Sequence, residues 1–227
     1  MRTVEVAARF RKFGATTVGV TAHPDSALGK RVNLILDCTI PGHKPSPGVR
    51  SYRVSLLMLW LLAIRLGEVR GKLSKQEAAA LRAELKATGD ACDATVDANH
   101  DKALEIARAF KDQPIYVFTG HGPNYASALF GAAKVIEAAG QHAMGQNTEE
   151  WCHLQYFTNV MADTPTFMIS PGDRGHSRAA EVIEPMARLG RQVVAVVPEG
   201  DTLIAPKAKY VMPVVGKVGK LFSPMVY

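Results

Sequence analysis

Two pairs of side chains near the middle of the sequence have the types and spacing of catalytic groups. Lys134 and Glu137 are three residues apart in an otherwise apolar stretch, so they share one face of the helix that this stretch predicts. We expect the glutamate to be partly buried there, beside an ammonium group, which is typical of a carboxylate that acts as a general base. An ion pair on the protein surface, without catalysis, is the alternative, and spacing alone favours it. Glu150 and His153 are also three residues apart, on a short predicted helix.

A glycine-rich turn, Thr119–Tyr125, follows an apolar run and precedes a predicted helix. The backbone N–H groups of such a turn and the dipole of the helix attract anions. Turns of this kind also join strands to helices in α/β proteins without binding anything, so both interpretations stay open. The candidate contacts in this turn are Gly120, His121, Gly122 and Asn124.

Neither a metal nor a cofactor is expected. Cys152 and His153 lie beside two glutamates, but no second spaced pair of ligands accompanies them, which is poor zinc spacing. A dinucleotide site is disfavoured because the sequence lacks G-x-G-x-x-G, and Tyr125 stands where the last glycine would be.

The elements that must position these residues alternate between helix and strand, which predicts an α/β fold with a parallel sheet covered on both faces. A proline- and glycine-rich loop is predicted over 41–48. The helix from Ser74 is expected to break near Gly89 and Asn99. The predicted strands are 16–22, 32–36, 115–118, 166–169, 192–197 and 209–212, and the predicted helices are 2–13, 49–66, 74–110, 125–139, 148–154 and 176–189.

An internal repeat refines this prediction. Gly14 and Gly190 are 176 residues apart, as are Asp25 and Asp201, and each copy reads helix, glycine, strand, acidic loop, strand. Two doubly wound, flavodoxin-like domains joined by a helical segment fit this pattern. Each copy lacks elements that the other has, so we expect a chain truncated at both ends. The predicted divisions are a partial first domain over 1–72, a helical linker over 73–110 and a second domain over 111–227.

Composition limits the partners and the location. The chain has 227 residues, of which 47% are hydrophobic and 21% charged, and a net charge of +6. The basic residues are interleaved with acidic ones, which is untypical of a nucleic-acid-binding surface but would attract a small anion. The longest apolar run, Val54–Ile64, is too short to span a membrane. Three cysteines without a C-x-x-C pair indicate reduced thiols, and we predict a cytoplasmic protein that binds neither nucleic acid nor membrane.

The combined motifs resemble the double sugar isomerase (SIS) family. The order is G-x-G-P-x-Y, G-A-x-K-x-x-E, H-A and E-x-x-H, and the chain is most similar to the isomerase half of glutamine–fructose-6-phosphate amidotransferase and to fructosamine-6-phosphate deglycases. The resemblance covers essentially the whole chain. Its residues here are Gly120, Gly122, Tyr125, Gly131, Lys134, Glu137, His142, Glu150 and His153.

The resemblance implies an isomerase or deglycase that acts on a phosphorylated sugar or amino sugar. Glu137 would move a proton between C1 and C2, and His153 would assist ring opening, often in the site of a neighbouring subunit. Substrate contacts would come from Val49, Arg50, Ser51 and Lys134.

Several features of the sequence limit what the resemblance implies about activity. The catalytic phosphate loops of the family would precede Met1, so Thr119–Tyr125 would be the second domain's copy, usually a structural relic, and this chain alone would be weakly active or inactive. The residues Leu-Gln-Tyr-Phe after His153 depart from the Gly-Pro of the amidotransferases, and no glutaminase domain is visible. A deglycase or a ketose/aldose isomerase is therefore favoured, with a non-catalytic sugar-phosphate sensor as the alternative. The resemblance also implies a homodimer, and His153 lies on a segment whose aromatic residues, Trp151, Tyr156 and Phe157, are predicted to be exposed and to suit an interface.

Overall fold

The computed structural model describes residues 2–42, 48–158 and 162–227. Residues 43–47 of the predicted loop therefore lie outside the described residues. The chain forms two compact units, Met1–Arg82 and Ala83–Tyr227. No helix within the described ranges is long and apolar enough to cross a membrane.

The first unit contains a small parallel sheet. Val18 of β1 opposes Leu34 of β2, and the pairing continues to Thr21 and Asp37. Leu59 and Leu66, on the helix predicted to be an apolar core helix, are about half exposed, so that helix is less buried within the described structure than the sequence indicates. The elements are α1 (Arg2–Lys12), β1 (Val18–Thr21), β2 (Leu34–Asp37), α2 (Val49–Val69) and the start of α3 (Lys75–Phe110).

The second unit contains a five-stranded parallel sheet in the order β4-β3-β5-β6-β7. Numbered from β3, this is the 2-1-3-4-5 order of flavodoxin-like folds. The predicted α/β class with a parallel sheet is confirmed. The elements are β3 (Ile115–Gly120), α4 (Asn124–Ala139), β4 (His142–Asn147), α5 (Thr148–His153), β5 (Pro165–Ile169), α6 (His176–Arg188), β6 (Gln192–Pro198) and β7 (Tyr210–Val214).

Both faces of this sheet are buried, as predicted. Successive residues of a strand point to opposite faces, and Val117 of β3 packs in one cluster while Phe118 packs in the other. The Val117 cluster includes Ile183 and Met186 of α6, and the Phe118 cluster includes Phe110 of α3 and helix α4. A sheet with two apolar faces explains why its central strands are nearly continuous apolar runs.

The internal repeat extends to strand register. Val18 pairs with Leu34 in the first unit, and the residues 176 positions later, Val194 and Tyr210, pair in the second. A short 3-10 helix follows the first strand in each copy, over Gly29–Arg31 and Ala205–Lys207, again at the same offset. Residues 2–37 and 178–213 therefore share the order of their elements and the pairing of their strands.

Two predictions about individual elements are wrong. Helix α3 is continuous and does not break near Gly89 or Asn99. The Asn99 amide donates to the carbonyl of Pro213 at 2.8 Å and to that of Thr95 at 2.7 Å, so the NH2 group of this buried side chain is satisfied without interrupting the helix. Strand β4 was not predicted because it is a polar edge strand, His-Ala-Met-Gly-Gln-Asn, without an apolar run.

Close packing of α4 on β4 yields a stability prediction. A Cβ at Gly145 would lie 2.6 Å from the Cα of Leu129, and backbone atoms cannot give way as a flexible side chain can. We expect Gly145→Ala to destabilise the protein by roughly 1–3 kcal/mol in urea unfolding. Gly89→Ala is the matched control, because it meets no atom within 4 Å and replaces glycine in a helix. It is expected to stabilise by about 0.5–1 kcal/mol, and similar results for both variants would contradict the packing argument.

Candidate functional site

The Lys134–Glu137 pair lies on the last turns of α4. The two side chains form the predicted i,i+3 ion pair, and the ammonium also lies 5.0 Å from the ring centroid of Phe130. The Glu137 side chain is 54% exposed, so the expectation of a partly buried carboxylate is wrong for the described chain. The carboxylate is held in place and open to solvent, where a second molecule or segment can reach it.

His153 ends α5 on the surface of the unit. The side chain of Asn147 caps this helix by accepting from the N–H of Glu149 at 3.0 Å. His153 is 65% exposed, and its Nε2 lies 3.8 Å from Oε1 of Glu149. The Glu149 carboxylate accepts two hydrogen bonds from Arg178, at 2.6 and 2.9 Å, and this contact lowers its pKa. The histidine is therefore exposed at the end of an anchored helix turn.

The aromatic residues around His153 are not all exposed as predicted. Phe157 is 71% exposed and Tyr156 is 36% exposed, but Trp151 is fully buried. Trp151 lies in the core with the guanidinium of Arg191 6.0 Å from its ring. Arg191 in turn donates to the carbonyl groups of Gln155 and Thr158. Trp151 therefore anchors the segment internally. Of the three aromatic residues predicted to be exposed, Tyr156 and Phe157 are accessible to a partner.

The glycine-rich turn has the predicted strand-to-helix geometry. A Cβ at Gly120 would lie 2.2 Å from the carbonyl oxygen of Asn124, so only glycine fits where the chain doubles back. His121 follows, and its Nε2 lies 2.7 Å from Oδ1 of Asp173, at the end of the neighbouring strand. The Asp173 oxygen also accepts from the N–H of Gly175 at 2.9 Å.

Asn124 holds the turn in place. Its amide donates to the hydroxyl of Ser223 at 2.8 Å and accepts from that of Ser127 at 3.2 Å, and the residue is fully buried. Both ends of the amide are thus used within the protein. This geometry indicates a structural role, whereas His121 and Gly122 line an open cavity.

A buried polar network at the same edge was not found from the sequence. Nδ1 of His176 lies 2.8 Å from the Ser170 hydroxyl, and its Nε2 lies 2.6 Å from Oδ2 of Asp201. Oδ1 of Asp201 accepts from the N–H groups of Ile204 and Ala205 at 2.8 and 2.7 Å. Asp201 was noted in the sequence because it lies 176 residues after Asp25 in the internal repeat. Ser170 and His176 were missed because they belong to no motif with a recognisable spacing.

This network ties the ends of β5 and β6 to the start of α6. Ser170 is fully buried and Asp201 nearly so, which leaves no room for a substrate at the hydroxyl. Burial by itself would raise the pKa of Asp201, but the two N–H groups and the His176 ring outweigh it, so the pKa is lowered. The pKa of Asp173 is lowered by the same balance, with His121 and the Gly175 N–H opposing burial.

The predicted substrate contacts Val49–Ser51 lie in the first unit. They form the exposed first turn of α2, directly after Gly48. The Ser51 hydroxyl donates to the carbonyl of Gly48 at 3.0 Å, which leaves its lone pairs free to accept from a ligand.

Comparison with curated proteins agrees with the resemblance seen in the motifs. The chain is 30% identical over 222 residues to a glutamine–fructose-6-phosphate aminotransferase (isomerizing) of Thermococcus kodakarensis, covering 96% of this chain and 35% of the relative. The chain spans about a third of the length of the curated relatives it matches. No family model matches the chain.

Solved structures show the same fold. The C-terminal domain of glucosamine-fructose-6-phosphate aminotransferase from Francisella tularensis superposes with a TM-score of 0.85 at 18% identity, covering 98% of this chain and 62% of that one. A proposed phosphosugar isomerase from Silicibacter pomeroyi DSS-3 gives a TM-score of 0.79 at 20% identity, with the same coverage. The resemblance to the isomerase half of the aminotransferases is thereby confirmed, and the fold is that of the SIS type.

The lowered pKa values of Asp173 and Asp201 predict acid sensitivity. Each carboxylate stabilises the folded protein above its ordinary pKa of about 4, and this stabilisation is lost as pH falls through the lower pKa of the folded state. Asp201→Asn is expected to reduce the free energy of unfolding at pH 7 by roughly 1–3 kcal/mol, and to make it less dependent on pH below about pH 4. Urea unfolding between pH 3 and 7 measures both. The control is Glu199→Gln, an exposed carboxylate on the same edge, and an equal effect of the two substitutions would contradict the prediction.

Proposed function

We propose that this relative of the isomerase half of glutamine–fructose-6-phosphate aminotransferases acts on a phosphorylated ketose or ketosamine, by proton transfer between C1 and C2. The observation that supports the proposal is the Glu137 carboxylate, exposed on α4 and oriented by Lys134. A carboxylate that solvent and substrate can reach is placed to accept a proton from a substrate carbon. The substrate would approach from solvent or from another part of the assembled protein.

Lys134 has a second role in this proposal. Its side chain is only 23% exposed and is confined between Glu137 and the Phe130 ring, so its ammonium is restricted in position. When Glu137 takes the proton from C1 or C2, its negative charge is lost and the ammonium becomes free to interact with the oxygen of the developing enediol. Such a cation placed in advance stabilises charge that appears in the transition state.

His153 would assist opening of the sugar ring. Its high exposure fits a group that works at a site completed by another subunit, and its Nε2 lies 3.8 Å from the Glu149 carboxylate. Val49, Arg50 and Ser51 would contact the substrate through their backbone and the Ser51 hydroxyl. The substrates that the protein turns over would decide which amine is involved and whether the reaction is an isomerisation or a deglycation.

A sugar-phosphate sensor without catalysis is the alternative. The pairing and exposure of Glu137 are compatible with it as well, since they are also the properties of an ordinary surface ion pair. The two functions differ in one observable, because a sensor binds the sugar phosphate but exchanges no hydrogen between C1, C2 and solvent.

The first prediction for this proposal concerns Glu137 in the intact protein. Glu137→Gln keeps the shape of the side chain and removes the basic oxygen, so kcat should fall roughly 10²–10⁴-fold, with little change in KM. His153→Ala is expected to cost less, because the open-chain sugar also forms spontaneously. Steady-state kinetics and solvent isotope exchange at C1 and C2 measure these effects.

Glu105→Gln is the matched control for this experiment. Glu105 pairs with Lys102 at 2.6 Å with the same i,i+3 spacing and a similar exposure, 52%, but lies on α3 and belongs to no proposed site. Loss of this pair is expected to leave kcat unchanged within about threefold. Isotope exchange at the wild-type rate in Glu137→Gln would rule out the catalytic assignment.

The second prediction concerns assembly. We propose a homodimer in which the exposed rings of Tyr156 and Phe157 lie at the interface. Phe157→Glu is expected to weaken the dimer at least tenfold, measured as a dissociation constant by light scattering or analytical ultracentrifugation at micromolar concentration. The control is Leu203→Glu, an apolar residue 50% exposed on a different loop. A monomeric wild-type protein would contradict the proposal.

A further inference from the structure

A cavity opens at the carboxyl edge of the sheet in the second unit, between the ends of β3 and β5. Its volume is about 570 Å³, within the range of small-molecule sites. This is the position where the strand order reverses, so the loops after the two strands separate and leave a crevice. The residues that matter for its chemistry are His121, Asp173, Arg174, Gly175 and Lys220.

The charges around this cavity are unbalanced. Asp173 supplies the one carboxylate among the described residues that line it, and its Oδ1 is already occupied by His121 and by the N–H of Gly175. The guanidinium of Arg174 makes no hydrogen bond or ion pair with any described residue. The ammonium of Lys220 likewise makes no hydrogen bond within the described ranges, although its charge helps to lower the pKa of Asp173.

His121 contributes an unsatisfied polar atom. Its side chain is 15% exposed, and its Nδ1 is buried without a hydrogen-bond partner among the described residues. A buried polar atom of this kind costs free energy unless a ligand or water satisfies it. Helices α4 and α6 also begin at this edge, with 16 and 13 residues, and the positive ends of their dipoles add to the potential of the side chains.

We propose that this cavity binds the phosphate group of a phosphate monoester, with Arg174 and Lys220 as its cationic contacts. A guanidinium presents paired N–H donors that match phosphate oxygens, and an ammonium adds a point charge. The volume left beyond the phosphate accommodates an organic part of the size of a sugar. Asp173 keeps His121 in place by its hydrogen bond rather than filling the cavity.

This site is separate from the one proposed around Glu137. The cavity lies at the start of α4 and Glu137 lies 14 residues after Pro123 on the same helix, which corresponds to about 20 Å at 1.5 Å per residue. One sugar phosphate molecule is too short to have its phosphate in the cavity and its C1 at Glu137 of the same chain. The cavity is therefore inferred to be a second, non-catalytic phosphate site, suited to an effector.

Titration of the intact protein with inorganic phosphate, fructose 6-phosphate and fructose tests the proposal. We expect saturable binding of both phosphates, followed by amide chemical shifts of Gly122 and Gly175 in NMR spectra, and no binding of fructose at these amides. Tighter binding of fructose 6-phosphate than of phosphate would show that the organic part is recognised, and equal affinity would identify free phosphate as the ligand.

Matched variants make the test specific. Arg174→Gln and Lys220→Gln are each expected to weaken phosphate binding at these amides roughly tenfold or more, without loss of folding, because neither charged group is bonded within the described protein. Lys217→Gln, an exposed lysine outside the cavity, is expected to leave the affinity unchanged. Equal weakening by all three variants would show a general field effect and overturn the proposal, as would no amide shift at millimolar phosphate.

Glu137→Gln separates this proposal from the proposed function. It is expected to leave phosphate binding at Gly122 and Gly175 unchanged while abolishing proton exchange. If exchange is lost but the amides never respond to phosphate, the cavity proposal fails and the catalytic one stands. If the amides respond and exchange persists in Glu137→Gln, the catalytic proposal fails and the cavity proposal stands.

Discussion

The reversal of strand order between β3 and β5 is the constraint on which the rest of the second unit depends. From β3 the chain passes through α4 to β4 on one side, and it then returns through α5 to β5 on the other. The loops that leave β3 and β5 must therefore separate at the carboxyl edge. Two histidine–aspartate contacts, His121–Asp173 and His176–Asp201, cross between strand ends there. They hold the edge together where backbone pairing has ended, and they leave a cavity between the first pair and the cationic side chains.

The two ends of α4 have different chemistry for a simple geometric reason. Its first residues are tied to the sheet edge through Gly120 and Asn124, where neighbouring backbone atoms approach too closely for a Cβ at Gly120. On its last turns Val135 still packs against the sheet, but the Glu137 carboxylate is 54% exposed, so solvent and other molecules can reach it. A helix of 16 residues is long enough to keep the proposed phosphate site at its start apart from the proposed catalytic site near its end. The same rigid element therefore relates both proposed sites.

Burial in this protein is decided by neighbours rather than by residue type alone. Trp151 and Phe157 are six residues apart in one short segment, yet the first is fully buried and the second largely exposed. The difference arises because Trp151 faces the cluster of α6 and lies 6.0 Å from the guanidinium of Arg191, the residue directly before β6. Asn99 shows the converse. A residue type that usually interrupts a helix is kept in α3 because a carbonyl of β7, more than a hundred residues away, accepts its hydrogen bond.

The sequence by itself determined the order of the elements other than β4, the parallel α/β class and the 176-residue repeat, because hydrophobic period and glycine positions are local properties of the chain. It also determined that Lys134 and Glu137 share a helix face. The exposure of that pair, the polar edge strand β4 and the internal position of Trp151 were decided only by the tertiary structure, since each depends on what packs against it. The same holds for the Ser170–His176–Asp201 network and for the meeting of His121, Arg174 and Lys220. These residues come from different strand ends, and only the strand order brings them to one edge, so no spacing along the chain could have grouped them.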